Sequence, residues 1–159
     1  MSSTSEVTIR IAAIDDAPVL ADIFTRAVLD QGPGFCTAAQ TAAWASALTA
    51  ERARSLIVDH ATYVAECTDT VVGFATFVAP DVFHMLYVDP DHLVEGIGTA
   101  LAAVIEQHAH RLGAGELRAE VSDGARIAFE SFGFRHEEPH TKLLGDQTFT
   151  VTRMSKSLG

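Results

Sequence analysis

Seven residues in the middle of the chain, VFHMLYV (82–88), are apolar on both faces of an extended strand. Val82, His84, Leu86 and Val88 alternate with Phe83, Met85 and Tyr87, because successive side chains of a strand point to opposite sides. Such a strand leaves water on both faces only when it is central in a sheet that is covered above and below. The neighbouring segments fit that requirement. TYVAEC (62–67) and VVGFATFV (71–78) read as strands joined by the turn TDT, hence a hairpin. After Asp89-Pro90 the period changes. From Gly96 to Leu112 one helical stripe carries Ile97, Leu101, Val104, Ile105, His108 and Leu112. ELRAEVS (116–122) returns to strand, with Leu117, Ala119 and Val121 on one face and Glu116, Arg118, Glu120 and Ser122 on the other.

The ends of the chain complete the pattern. VTIRIA (7–12) alternates as a first strand. Asp15 or Asp16 caps the next helix, and Pro18 suits its first turn. Ala17, Leu20, Ala21, Phe24, Ala27, Val28 and Gln31 share one face of it, and Gly32, Pro33 and Gly34 stop it. TAAQTAAWASAL (37–48) predicts a second helix capped by Thr37, and ERARSLIV a further helical piece. ARIAFESF (125–132) is a short helix ended by Gly133. FRHEEPHTKLL and QTFTVTRMSK close the chain as two strands around Gly145-Asp146. Three antiparallel-type strands followed by a strand–helix–strand unit give an α/β chain of the α+β type. Its sheet is mixed and mainly antiparallel, with helices on both faces.

Length and charge bound the rest. The 159 residues are expected to form one domain over 7–159, after a disordered polar tail at 1–6 without the pattern of a signal peptide. No apolar run approaches the ~18–20 residues of a membrane span. Cys36 and Cys67 make neither a disulfide framework nor a metal motif, so a reduced cytoplasmic protein is the expectation. The net charge of −10 excludes nucleic acid or an anionic membrane as partner over most of the surface, and fits a neutral or cationic substrate better. His108 and His110 face different ways on their helix, whereas His136 and His140 read as sharing one strand face. No zinc site is expected.

The order of elements, MLYVDP before a GIG turn and helix, and ARIAFESFGF near the end together resemble the GNAT N-acetyltransferases. The resemblance runs from Val7 to about Lys156. FCTAAQTAAWA, FHMLYVDPDH and SDGARIAFESFGF are most similar to the YafP-like branch. It implies a site for acetyl-coenzyme A as cosubstrate: backbone groups of Leu86, Tyr87 and Val88 for the pantetheine arm, and the turn and helix start, Val94, Glu95, Gly96, Ile97, Gly98 and Thr99, for the diphosphate. Physics supports the second part separately. The first N–H groups of a helix have no internal partner and sit at the positive end of its dipole. Glu95 breaks the family pattern, as do Leu93 and Val94. Facing the diphosphate at ~4 Å, its carboxylate costs roughly 4 kcal/mol at an effective dielectric near 20. Turned to water it costs about 1 kcal/mol or less. Side chains splay outward from a concave turn, so the second arrangement is expected.

Acetyl transfer to an amine needs a base, donors for the thioester oxygen as it becomes negative, and sometimes an acid for the thiolate. His84 is the only ionisable group of its strand apart from Tyr87, and it titrates near neutrality. The resemblance to aralkylamine-acetylating members implies a role in proton removal, against the plain alternative of a hydrogen-bonded core histidine. Glu120 is a second candidate, through a water, or else an ion-paired residue beside Arg118. The backbone N–H of Val88 or its neighbour is the implied oxyanion donor. Phe129 stands where the family often has a tyrosine acid; Ser122, Tyr87 or a water can substitute. Arg126 lies near the coenzyme or on a helix surface. Phe35, Gln40, Trp44 and Tyr63 are expected to line the acceptor pocket. No activated nucleophile is evident, so a small-molecule amine would attack the thioester directly in a ternary complex. The rivals are a non-catalytic acyl-coenzyme A-binding or regulatory module, and a coenzyme-free protein using its sheet edges. The closing strand pair can also support a homodimer.

Overall fold

The computed structural model describes residues 7–92 and 96–159. Val94 and Glu95, expected at the diphosphate, lie outside the described residues, as do Leu93 and the tail at 1–6. The elements follow as β1 (Val7–Ile11), α1 (Ala17–Gln31), α2 (Ala38–Ala45), α3 (Ala50–Asp59), β2 (Ala61–Cys67), β3 (Thr70–Val78), β4 (Val82–Val88), α4 (Ile97–Arg111), β5 (Glu116–Val121), α5 (Arg126–Ser131), β6 (Arg135–Leu144) and β7 (Gln147–Ser157). Local signals explain the boundaries. The Thr37 hydroxyl accepts the Gln40 N–H at 3.1 Å while the Gln40 side chain accepts the Thr37 N–H at 2.9 Å, a reciprocal cap. Thr49 caps α3 in the same sense. Thr68 and Asp69, with φ of 53° and 64°, turn β2 into β3.

Seven strands form one sheet in the order β1-β2-β3-β4-β5-β7-β6. Only the β4–β5 pair is parallel, and α4 makes its crossover. On one face, Phe77, Phe83, Leu117 and Val121 pack with Ile97, Leu101 and Ile105 of α4 and Phe129 of α5. On the other, Val64 and Phe74 pack with Leu20, Ile23, Phe24 and Val28 of α1. Helices on both faces and a mixed sheet are what the sequence predicts. The outer strand β6 carries Glu137, Glu138, Pro139 and Lys142, residues that discourage edge-to-edge pairing.

The ladders carry three register shifts, at Val72 between β2 and β3, at His84 and at Glu137, and the last two change which candidate side chains share a face. Across β3–β4, Thr76 pairs with Met85 and Phe77 with Phe83, so His84 is the extra residue. The strict alternation expected for 82–88 fails there. Phe83 packs toward α4 and α5 with Leu86 and Val88, whereas Met85 and Tyr87 pack toward α1. Another bulge falls at Glu137, between the pairs His136–Met154 and Glu138–Arg153. It separates His136, which meets Glu130 of α5, from His140, which meets Glu120 at 3.5 Å. The expectation that the two histidines share a face is therefore corrected. Leu112, placed in the α4 stripe by periodicity, lies past the helix end and is 58% exposed.

The far end of β4 is pinned to α1. Arg26 donates two bonds of 2.9 Å to the buried Asp89 carboxylate, which also accepts the Asp91 N–H at 2.9 Å. The guanidinium holds the Asp89 carboxyl below the usual carboxylate range. This pair fixes where the chain leaves β4 before α4.

Candidate functional site

The parallel pair β4–β5 stays together at one position only, Val82 opposite Arg118. Arg118 reinforces that point, its N–H on the Asp81 carbonyl at 2.8 Å and its guanidinium on the Asp81 carboxylate at 3.0 and 3.1 Å. Beyond it no β5 residue pairs with β4, and the two strands part. On the other edge of β4, the Asp89 N–H donates to the Val72 carbonyl at 2.8 Å. Main-chain groups alternate sides along an antiparallel ladder. The N–H and C=O of Val88, and of Leu86 two residues earlier, therefore face the gap.

A cavity of about 220 Å³ occupies the opening. His84, Met85, Leu86 and Tyr87 of β4 form one wall, and Glu120, Val121, Ser122 and Asp123 another. Phe35 and Trp44 close it from the α1–α2 side, and Lys142 and Phe149 from the β6–β7 hairpin. The bulge places the His84 ring at this surface. Surrounding protein withdraws bulk water from it, and the Lys142 and His60 charges add to that effect, so its pKa is lowered; Glu120 opposes them. These influences favour the neutral imidazole, the form that accepts a proton. Tyr87 is different. Its phenol is buried against Phe24, with ring centroids 4.6 Å apart, and burial pushes its pKa up to about 12. The Trp44 Nε1–H donates to its oxygen at 3.3 Å.

Glu120 points into the same space but not toward Arg118. It meets His140 at 3.5 Å, Arg153 at 3.6 Å and Lys142 at 3.7 Å, all from the β6–β7 hairpin. Phe129 also borders the cavity. It sits in an aromatic group with Phe83, Phe132 and Phe134, at centroid distances of 5.0–5.4 Å. It offers no proton. Ser122 lines the cavity as well.

At the far end of the gap, Gly96 precedes α4 as its N-cap in the left-handed conformation, φ 73°, and itself offers no side chain to cap the helix. A side chain at Gly96 would find no atom within 4 Å, and one at Gly98 only Val88 Cγ2 at 3.9 Å. The N–H groups of Ile97, Gly98 and Thr99 precede the first helical donor, since the ladder starts with Ala100 donating to the Gly96 carbonyl at 3.1 Å. Arg126 is exposed and opens α5, directly after the cavity-lining Ala125.

The structure thus brings together His84, Glu120, Leu86, Tyr87, Phe35 and Trp44, and sets Val88 along the same gap. It does not bring Tyr63. That side chain is buried on the opposite side of the sheet, where its hydroxyl meets His108 Nδ1 of α4 at 2.7 Å. Gln40 is spent on its cap and on the Thr148 carbonyl at 2.8 Å. Sequence reasoning missed Lys142, Phe149 and Gly124. The first two face each other across β6–β7, so extending the period of two through the closing hairpin finds them. Gly124 is a matter of space: a Cβ there would come within 3.1 Å of Phe35 and 3.2 Å of Gln31. A larger residue there needs the Phe35 or Gln31 side chain to give by a few tenths of an ångström where the α1–α2 turn settles on the β5–α5 loop over the cavity. Among the described residues no group of three or more His, Cys, Asp or Glu side chains gathers as for a metal ion, and no helix is long and apolar enough to cross a membrane.

Residues 30–158 match the Acetyltransferase (GNAT) domain. The chain belongs to the GNAT acetyltransferase family. A Rhodopseudomonas palustris protein described as a GCN5-related N-acetyltransferase shares its fold with a TM-score of 0.92, at 29% identity over 99% of each chain. The PaiA N-acetyltransferase of Thermoplasma acidophilum, solved with coenzyme A, matches with a TM-score of 0.77 at 20% identity, covering 96% of this chain and 99% of its own. The yncA protein of Salmonella typhimurium, solved with acetyl-CoA, matches at 0.72 and 22%, over 96% and 94%. No curated protein matches the chain.

Proposed function

We propose that this GNAT protein transfers an acetyl group from acetyl-CoA to a small-molecule amine by direct attack in a ternary complex, within the YafP-like branch. The observation that carries the reading is the parting of β4 and β5 immediately after Val82–Arg118, with His84 on the wall of the opening. Leu86 and Val88 offer main-chain groups along one side for an amide-bearing arm, whereas those of Tyr87, expected beside them, face β3. The N–H groups at Gly96, Ile97, Gly98 and Thr99 suit a diphosphate, and Arg126 supplies a positive charge near the start of α5. The amine gives its proton to His84 as its nitrogen bonds the thioester carbon. The oxygen becomes negative facing the Val88 N–H, and the C–S bond then breaks to release coenzyme A as thiolate. Glu120, held by Lys142 and Arg153 and beside His140, takes the proton onward through water. Calorimetry with acetyl-CoA tests the first half. Binding in the micromolar range is expected, and a dissociation constant above the millimolar range removes the coenzyme from the reading.

A second reading rests on Phe129, which replaces an acid with a ring that cannot donate. A non-catalytic acyl-coenzyme A-binding module binds acetyl-CoA yet releases no thiol with any amine. Thiolates leave without protonation more readily than alkoxides, so the loss of one acid, worth about 10²–10⁴-fold elsewhere, does not favour that module. Thiol release across an amine panel separates the two.

A further inference from the structure

The acceptor side of the cavity narrows the class of amine. Trp44 of α2 and Phe149 of β7 meet edge to face with centroids 6.5 Å apart, and Phe35 and Leu144 continue the surface. The one polar group of the indole is occupied by Tyr87. What remains for a ligand is apolar. Beside this wall stands a cation. Lys142 is the cross-strand partner of Phe149, so ring and ammonium lie side by side on one face of the hairpin. Its carboxylate partner Glu120, 3.7 Å away, is shared with Arg153 at 3.6 Å and His140 at 3.5 Å. Arg153 binds Glu138 more closely, at 3.1 Å, yet Glu120 faces both Lys142 and Arg153, so its charge is largely matched and has little attraction left for a second ammonium. The other cavity-lining carboxylate, Asp123, belongs to the β5–α5 loop beside Cys36 and not to the hairpin.

We infer that the acceptor is a monoamine with an aromatic or branched apolar body seated against Trp44 and Phe149, and that Lys142 turns away polycationic amines. This rests on the transferase reading for the site. It runs against the net charge of −10, which draws any polyamine to the outer surface without admitting it to the cavity.

Trp44 is the only tryptophan in the chain, so its emission reports directly on this wall. The experiment titrates the full chain with 2-phenylethylamine and with spermidine, following that emission. 2-Phenylethylamine should give a saturable change and bind at least about tenfold more tightly than spermidine. Phe149→Ser should weaken 2-phenylethylamine about tenfold, and Lys142→Glu should narrow the preference by about tenfold. Both residues lie on the hairpin surface, and a melting curve checks that each variant is folded. Spermidine binding as tightly as 2-phenylethylamine to the unaltered protein overturns the inference, as does a 2-phenylethylamine response indifferent to Phe149→Ser. Acetyl-CoA calorimetry on the same sample is read separately. A missing heat there sinks the transferase reading while the fluorescence titration still judges the amine class.

Discussion

The two ends of the β4–β5 opening are made of different material. At the α4 end the groups proposed to meet the coenzyme are main-chain N–H donors around Gly96 and Gly98. At the cavity end they are side chains drawn from many parts of the chain: β4, β5, α1, the α1–α2 turn, α2, the β5–α5 loop, α5 and the closing hairpin. A backbone surface is set by conformation, so it tolerates changes of side chain as long as the turn forms. A surface of side chains depends on each residue and on the register that aims it. Substitutions at the two ends should therefore differ in kind: loss of chemistry at one, graded loss of coenzyme grip at the other.

The largest effect is expected at His84. His84→Ala should lower kcat/KM by about 10²–10⁴-fold, the usual range for a lost general base, while the dissociation constant for acetyl-CoA stays within about threefold. A rate unchanged with a good amine takes His84 out of the mechanism. The pH profile sharpens the test. The folded pKa lies below the ordinary histidine value of 6.5, chiefly through lost solvation and secondly through Lys142. The base works when neutral, so kcat/KM should be level near neutrality and fall on acidification with a midpoint below 6.5. Stability has the matching sign. Between the two pKa values the unfolded chain binds more protons, so stability rises with pH through that window and is lost below it.

A smaller effect, at the other end, is expected at Gly98. Alanine there meets only Val88 Cγ2, at an ordinary 3.9 Å, inside the first turn of a helix. Gly98→Ala should raise stability by up to about 1 kcal/mol, from helix propensity. The new methyl also stands beside donors assigned to the diphosphate, and acetyl-CoA should bind about tenfold more weakly. A higher melting temperature with unaltered coenzyme affinity means that no diphosphate sits against this turn.

The same contrast explains what was legible in the sequence. β4 is bounded at 82–88 in both, and α4 and β5 match within two residues, because period and breakers are local. The glycine entrance is equally local, a left-handed residue before a helix. The cavity is not. The bulge at His84 is a property of two strands, since an extra residue exists only relative to the partner β3. Alternation alone grouped Phe83 with Met85 and Tyr87, and the bulge separated them. Arg118 looked like the partner of Glu120 because it lies two residues away on the same face. Asp81, next to β4, takes Arg118 instead, and the side chains that surround Glu120 come from residues 140, 142 and 153. Tyr63 was assigned to the acceptor by the position of its strand, yet the side that it faces follows from the register of β2, which turns it to His108.

The smallest effect is expected at Glu95, and it tests the idea of a backbone surface most directly. A carboxylate next to a diphosphate is unfavourable by roughly 4 kcal/mol at ~4 Å, about a thousandfold in affinity, if the two face each other with little water between. A carboxylate turned to solvent costs about 1 kcal/mol or less, about fivefold, and salt screens it. If main-chain donors hold the anion and side chains splay outward, Glu95→Gln should tighten acetyl-CoA by no more than about fivefold at low salt. Raising the ionic strength to about 0.5 M should remove most of that gain, because the Debye length falls well below 10 Å. A gain of a hundredfold or more that persists in salt puts the carboxylate against the phosphates. The entrance would then be governed by a side chain after all, and the distinction between the two ends of the opening would disappear.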